Sequence, residues 1–188
     1  MSDILLDIPD QIESRRLIIR SPLPGDGAVV HAGVVATLEQ LRAWPASLPW
    51  AMFEPSLEAS ETFCRQSRID FLARKGLPML LFLKEGGHFA GACGLHDLDW
   101  KHKRAEIGYW CHREWQGQGL IGEAVQTLCD FSQHQLGLRR IACLADEQNL
   151  ASRRVAERAD FRLEGILRNE RIAPDDSLRD TALYARTN

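Results

Sequence analysis

The sequence contains no Cys-x-x-Cys pair, and its cysteines, Cys64, Cys93, Cys111, Cys129 and Cys143, are odd in number. That spacing describes neither a disulfide framework nor a zinc set, and the thiols read as reduced and mostly buried. No apolar run approaches the length of a membrane span, and the opening Met1-Ser2-Asp3 carries no basic segment or apolar stretch of the kind that directs export. We therefore expect a cytoplasmic protein with no membrane partner. Charge of one sign is also lacking: 23 basic against 26 acidic residues leave a formal net charge of −3, no general reason to expect nucleic acid. The six histidines show no ligand spacing, and we expect no metal. Internal repeats, low-complexity tracts and linkers are absent.

What remains is an ordinary globular composition, 45% hydrophobic and 26% charged over 188 residues, enough to bury a sizeable core in one domain spanning 1–188. Arg16-Leu17-Ile18-Ile19-Arg20 reads as a strand, ended by Ser21-Pro22. Residues 29–41 read as one or two helices after the turn Pro24-Gly25-Asp26. The segment Trp44-Pro45-Ala46-Ser47-Leu48-Pro49-Trp50 has two prolines too close together for regular structure and reads as a loop carrying two large aromatics. A helix is expected over 56–75, with Ser56 at its start and Gly76-Leu77-Pro78 to stop it.

Strands over 79–84, 89–99 and 105–112 follow, joined by the short turns Glu85-Gly86-Gly87-His88 and Lys101-His102-Lys103-Arg104. Such a succession is an antiparallel meander, which a doubly wound parallel sheet does not begin with. Further on, Leu120, Ala124, Val125, Leu128 and Phe131 recur at helical spacing, and that helix should end near Gly137. A strand over 140–144, a helix over 149–159 and closing strands over 161–167 and 182–186 complete an α+β (mixed α/β) chain.

The stretch that organises the rest is Glu114-Trp115-Gln116-Gly117-Gln118-Gly119-Leu120-Ile121-Gly122-Glu123-Ala124, between a strand and the most clearly amphipathic helix. Closely spaced glycines bring backbone near a ligand, and the helix end aims unpaired N–H groups and a positive dipole at an anion. Gly117 to Gly122 is a literal G-x-G-x-x-G with Asp146 past the next strand, which a NAD-binding oxidoreductase would show. The meander upstream and the few residues downstream count against a dinucleotide fold. No Gly-Lys-Ser/Thr follows, so this is not a Walker phosphate loop.

Alternation along 105–112 places Glu106, Gly108, Trp110 and His112 on one strand face and Ala105, Ile107, Tyr109 and Cys111 on the other. A carboxylate beside Trp110 suits a general base, though a plain ion pair with Lys103 or Arg104 explains Glu106 equally well. Asn149 and Ser152 read as cap and first-turn residues of their helix.

Five motifs in order, Glu106-Ile107-Gly108-Tyr109-Trp110, Trp115-Gln116-Gly117-Gln118-Gly119, Glu123-Ala124, Asn149-x-x-Ser152 and Phe161-x-x-Glu164-Gly165, resemble the RimJ/RimL type of GNAT N-acetyltransferase. The resemblance runs over 14–186 and is densest over 105–165. It implies a mainly antiparallel sheet of six to seven strands flanked by helices and splayed at two central strands, with acetyl-CoA in the opening. It implies that the strand carrying Trp110, Cys111 and His112 pairs with the pantetheine arm. Gln116, Gly117, Gln118, Gly119, Leu120, Ile121 and Gly122 would hold the pyrophosphate. The chain departs from the superfamily pattern Q/R-x-x-G-x-G/A at Ile121, as a variant among RimL-like members does. By the same resemblance Asn149 bonds the pantetheine, Ser152 approaches the thiol as proton donor, and Glu164 rivals Glu106 as base. Trp44, Trp50 and Phe53 would wall the acceptor side.

The implied activity is direct acetyl transfer to a primary amine, without an acyl-enzyme. A protein α-amine, pKa ~7.7–8, needs only ~1 kcal/mol of deprotonation at pH 7, whereas a lysine at ~10.4 needs ~4–5 kcal/mol. A weakly poised carboxylate therefore matches an N-terminal amine, such as that of a ribosomal protein. Small amines (antibiotic, polyamine or amino-acid derivative) are the second class of acceptor, and a CoA-binding regulatory module with little turnover is the reading outside catalysis. A homodimer is implied only by the resemblance.

Overall fold

The computed structural model describes residues 3–188; Met1 and Ser2, read above for the lack of an export signal, lie outside them. Eight strands form one sheet: β1 (Gln11–Glu13), β2 (Leu17–Arg20), β3 (Leu77–Leu83), β4 (Phe89–Asp99), β5 (Arg104–Cys111), β6 (Arg140–Asp146), β7 (Arg162–Ile172) and β8 (Leu178–Thr187). Their spatial order is β1-β2-β3-β4-β5-β6-β8-β7. The β5–β6 pair is parallel and every other pair antiparallel. The helices are α1 (Gly27–Arg42), α2 (Leu57–Leu72), α3 (Leu120–His134) and α4 (Leu150–Arg158).

Strand alternation sends successive side chains into two cores, one on each face of the sheet. On one face Leu80 and Phe89 meet Val30 of α1 and Cys64 of α2. On the other, Leu81, Cys93, Ile107 and Ile141 pack against Val125 and Leu128 of α3 and Ala156 of α4. The buried stripe of α3, from Leu120 and Ile121 through Ala124, Val125, Leu128 and Cys129, is the helical period read from the sequence. Ser56 caps α2 by accepting the Ala59 N–H at 3.0 Å. Gly86 and Gly87, both at positive φ, make the β3–β4 turn.

The feature that positions the site is a split in the sheet. β5 and β6 pair only where Arg104, Ala105 and Glu106 meet Arg140, Ile141 and Ala142. Past that point β5 stays bonded to β4 as far as Cys111, and β6 stays bonded to β8 as far as Asp146. Each strand is held by its outer neighbour while the inner edges diverge, and Glu106 stands on the last shared rung.

Several boundaries differ from the sequence reading. The sheet has eight strands rather than six to seven, because Gln11–Glu13, too polar to read as a strand, pairs with β2 along the edge. Residues 29–41 form one helix. Pro49–Met52 is a short 3₁₀ turn inside the segment read as irregular, with proline at its first position, where no N–H is needed. β3 starts at Leu77 and contains Pro78, which lies beyond the end of β2, so its missing N–H breaks no rung there. β7 and β8 run on through Ile172 and Leu178 as an exposed ribbon whose charged residues hid its length; a register shift between Leu167 and Arg171 accommodates Asn169 at φ 52°.

Candidate active site: the split between the central strands

From β5 the chain passes through a 3₁₀ turn, Arg113–Trp115, into the glycine segment and α3. Gly119 stands at the N-cap of α3 with φ 75°, a left-handed conformation that side chains resist, and no side chain among the described residues caps the helix. The N–H groups of the first turn, Leu120 to Gly122, are thus left for an external anion. The turn is fixed from behind by Glu123, whose carboxylate accepts from Ser14 Oγ at 2.6 Å, Arg16 N at 2.7 Å and Arg16 Nε at 2.7 Å. Arg16 in turn donates to the Gln118 carbonyl at 3.0 Å. Burial pushes the Glu123 carboxyl up, but the donors from Ser14 and Arg16 outweigh it and hold it below the ordinary range.

A groove of about 1420 Å³ runs through the split. Of the residues assigned to the cofactor from sequence, Trp110, Cys111, Gln116, Gly117, Gly119, Leu120, Ile121, Gly122, Asn149 and Ser152 line it. Gln118 and His112 do not: the Gln118 amide donates to the Glu114 carbonyl at 3.2 Å, and His112 Nδ1 accepts from the Glu114 N–H at 3.2 Å. Both brace the turn. Ile121, where the family pattern has a small residue, is 7% exposed and packs within the core that borders the groove.

At the α4 end, Asn149 Oδ1 accepts the Ser152 N–H at 3.0 Å, the cap expected of it. Tyr109 was not singled out from sequence as a functional residue. Its hydroxyl lies 3.1 Å from Ser152 Oγ, 3.0 Å from the Ser152 carbonyl and 3.5 Å from Cys143 Sγ. Burial, first, and the neighbouring Cys143 push the Tyr109 pKa well up, so it stays protonated and able to donate. The available signal was the alternation itself, which put a polar-tipped residue opposite the Glu106 face.

The Glu106 face looks toward α1 and α2. Trp50 lies 6.5 Å from Trp110 between ring centroids, and Trp44, Trp50, Phe53 and Glu106 all line the same groove. Burial raises the Glu106 carboxyl above the usual range, and the adjacent His96 works against that rise. Glu164 is elsewhere. It sits on β7, at the sheet edge, and forms a two-armed ion pair with Arg140 at 2.7 and 2.5 Å, beside the closed end of the split. Asp146, the would-be ribose ligand of the dinucleotide reading, accepts from Arg179 at 2.9 and 2.7 Å. Three cysteines line the groove; burial pushes the Cys111 and Cys143 thiols up to about 11 and that of Cys93 well up, which makes none a ready nucleophile.

A strand edge freed along one side, a bare helix N-terminus beyond it and a groove crossing from one sheet face to the other make a cleft suited to an extended ligand with an anionic group. The chain belongs to the acetyltransferase (GNAT) family, whose domain model matches residues 16–162. It is 31% identical over 140 residues to the ribosomal-protein-serine acetyltransferase of Escherichia coli (strain K12), covering 74% of this chain and 76% of that protein. It is 40% identical over 83 residues to the putative ribosomal N-acetyltransferase YdaF of Bacillus subtilis (strain 168), covering 44% of this chain and 45% of that relative, so there the chain spans about half the relative's length. Among solved structures, RimL, the ribosomal L7/L12 alpha-N-protein acetyltransferase in complex with coenzyme A, superposes with a TM-score of 0.83 at 25% identity over 96% of this chain and 97% of that one. The microcin C7 self-immunity acetyltransferase MccE shares the fold with a TM-score of 0.85 at 24% identity over 96% and 98%.

Proposed function

We propose that the protein is an acetyl-CoA-dependent N-acetyltransferase whose acceptor is the α-amine of a protein N-terminus, with residues 1–188 acting as one domain in the cytoplasm. The observation that carries this reading is the placement of two kinds of group on opposite faces of β5. Glu106 faces the aromatic side, and Tyr109 with Ser152 faces the α3–α4 side. A base belongs where the amine enters and an acid where the thiol leaves.

Bound acetyl-CoA supplies an activated acyl group on a thiolate leaving group. The residues that fit it are the open edge of β5, the first-turn N–H groups of α3, and Asn149 and Ser152. The acceptor nitrogen attacks the acetyl carbon, a C–N bond forms and the C–S bond breaks. Glu106 takes the proton lost by nitrogen, directly or through one water. Ser152 protonates the departing sulfur, Tyr109, within 3.1 Å, re-supplies that proton, and water in the groove returns one to Tyr109. A half-buried carboxyl is better matched to an α-amine, which needs only ~1 kcal/mol of deprotonation at pH 7, than to a lysine, which needs ~4–5 kcal/mol.

Trp50 and Phe53, both exposed at the mouth, give a chain end an apolar bed, which supports a peptide over a small polyamine. The test is thiol release from acetyl-CoA across Ser- and Ala-starting peptides, spermidine and aminoglycosides. Selective turnover of the peptides supports the reading; selective turnover of a small amine replaces the acceptor.

A further inference from the structure

We infer that Asp97 and His96 form a relay that carries the proton from Glu106 to solvent, an inference that rests on Glu106 being the base. Two features of β4 converge on it. First, His96 is the direct cross-strand neighbour of Glu106, with Nε2 3.7 Å from Glu106 Oε1, while Nδ1 lies 3.1 Å from Asp97 Oδ2. The imidazole thus addresses one carboxylate with each ring nitrogen. That arrangement can hand on a proton.

Second, β4 and β5 lose register between His96 and Asp99, and within that bulge Asp97 adopts φ 49°. A non-glycine residue in the left-handed region is held there by its surroundings. In an ordinary pleat the residue after His96 projects to the opposite sheet face; here its carboxylate is brought back to the His96 ring.

Exposure runs in the direction a relay needs. The Glu106 side chain is 26% exposed, that of His96 52% and that of Asp97 82%. The 3.7 Å gap exceeds a hydrogen bond and closes with a small side-chain rotation or one bridging water. In the step, Glu106 gives its newly acquired proton to His96 Nε2. Asp97 balances the imidazolium through Nδ1–H, and the Nε2 proton then passes to water, restoring both groups. Glu170 and Arg171 of β7 also act on Glu106, but the Glu170 carboxylate is engaged by Arg171 Nε at 3.0 Å and the Thr181 hydroxyl at 2.7 Å, which leaves His96 as the acceptor.

The experiment measures steady-state acetylation of a Ser-starting peptide from pH 6 to 9 by the wild type and the variants His96→Gln, Asp97→Asn and Glu106→Gln. Asparagine tolerates the left-handed backbone, so Asp97→Asn preserves the bulge. We expect His96→Gln to lower kcat about tenfold with KM for acetyl-CoA unchanged, Asp97→Asn to lower it less, and added imidazole to restore His96→Gln but not Glu106→Gln. Rescue by imidazole distinguishes a proton carrier from a packing residue. If Glu106→Gln is crippled while His96→Gln keeps the wild-type kcat and pH profile, or imidazole restores nothing, the relay is wrong and the base assignment stands. If Glu106→Gln is fully active, the base assignment itself fails.

Discussion

Tyr109 Oη lies 3.1 Å from Ser152 Oγ, joining the middle of β5 to the first turn of α4 across the open split. In the proposed reaction this pair serves the departing thiolate. Tyr109→Phe removes the donor but keeps the ring, so it should lower kcat about 10- to 100-fold while KM for acetyl-CoA changes little. The lost hydrogen bonds should cost about 1 kcal/mol of stability, readable by urea denaturation. Equal kcat in Tyr109→Phe and the wild type would remove tyrosine from the proton path.

Glu106→Gln separates activity from stability. Loss of the base should lower kcat by about 10²- to 10⁴-fold. The folded carboxyl titrates above its unfolded value, so the native state holds the proton more tightly, and Glu106 contributes less stability as pH rises through the window above 4.5. The glutamine variant should therefore melt at or above the wild-type temperature at pH 7, with the difference vanishing at pH 4. In the wild type, kcat/KM should rise with pH as this carboxyl ionises. A glutamine variant that melts lower at pH 7 than at pH 4, relative to the wild type, would contradict the burial argument.

Glu123 behaves in the opposite sense. Its folded pKa is depressed, so the stability it supplies is present above 4.5 and disappears as pH falls through the folded value. Glu123→Ala leaves the Ser14 and Arg16 donors unpaired, and because Arg16 is partly exposed and screened the loss should be about 1–3 kcal/mol. CoA affinity should fall with it, since the same carboxylate anchors the glycine turn. Denaturation at pH 7 and pH 4 checks the sign: the deficit should shrink in acid.

The glycine turn and its helix, the meander of β3 to β5 and the Asn149 cap were legible because each rests on local chemistry: positive-φ glycines, alternation, a side-chain oxygen before a helix. The split was not, since nothing within β5 or β6 marks where pairing stops; only the family resemblance implied it. Glu164 illustrates the same limit. Its Glu-Gly motif gave no sign that Arg140, 24 residues earlier, pairs with it beside the closed end of the split. Tyr109 escaped as a site residue because its role depends on Ser152, 43 residues away. His112 and Gln118 lay within the right motif, yet their side chains bond the Glu114 backbone and brace the turn.

The central claim is that the α3 turn holds the cofactor's phosphates, and calorimetric titration of CoA into the wild type and Gly119→Val tests it most directly. A Cβ at Gly119 would meet only Arg16 Nη2 at 3.7 Å, so the protein has room for the side chain, and the strain lies in the left-handed φ at the cradle itself. Folding should weaken by about 1–2 kcal/mol, and CoA affinity should drop at least about tenfold. Wild-type affinity in a folded Gly119→Val, or a wild type that binds NAD as tightly as CoA, would contradict the account.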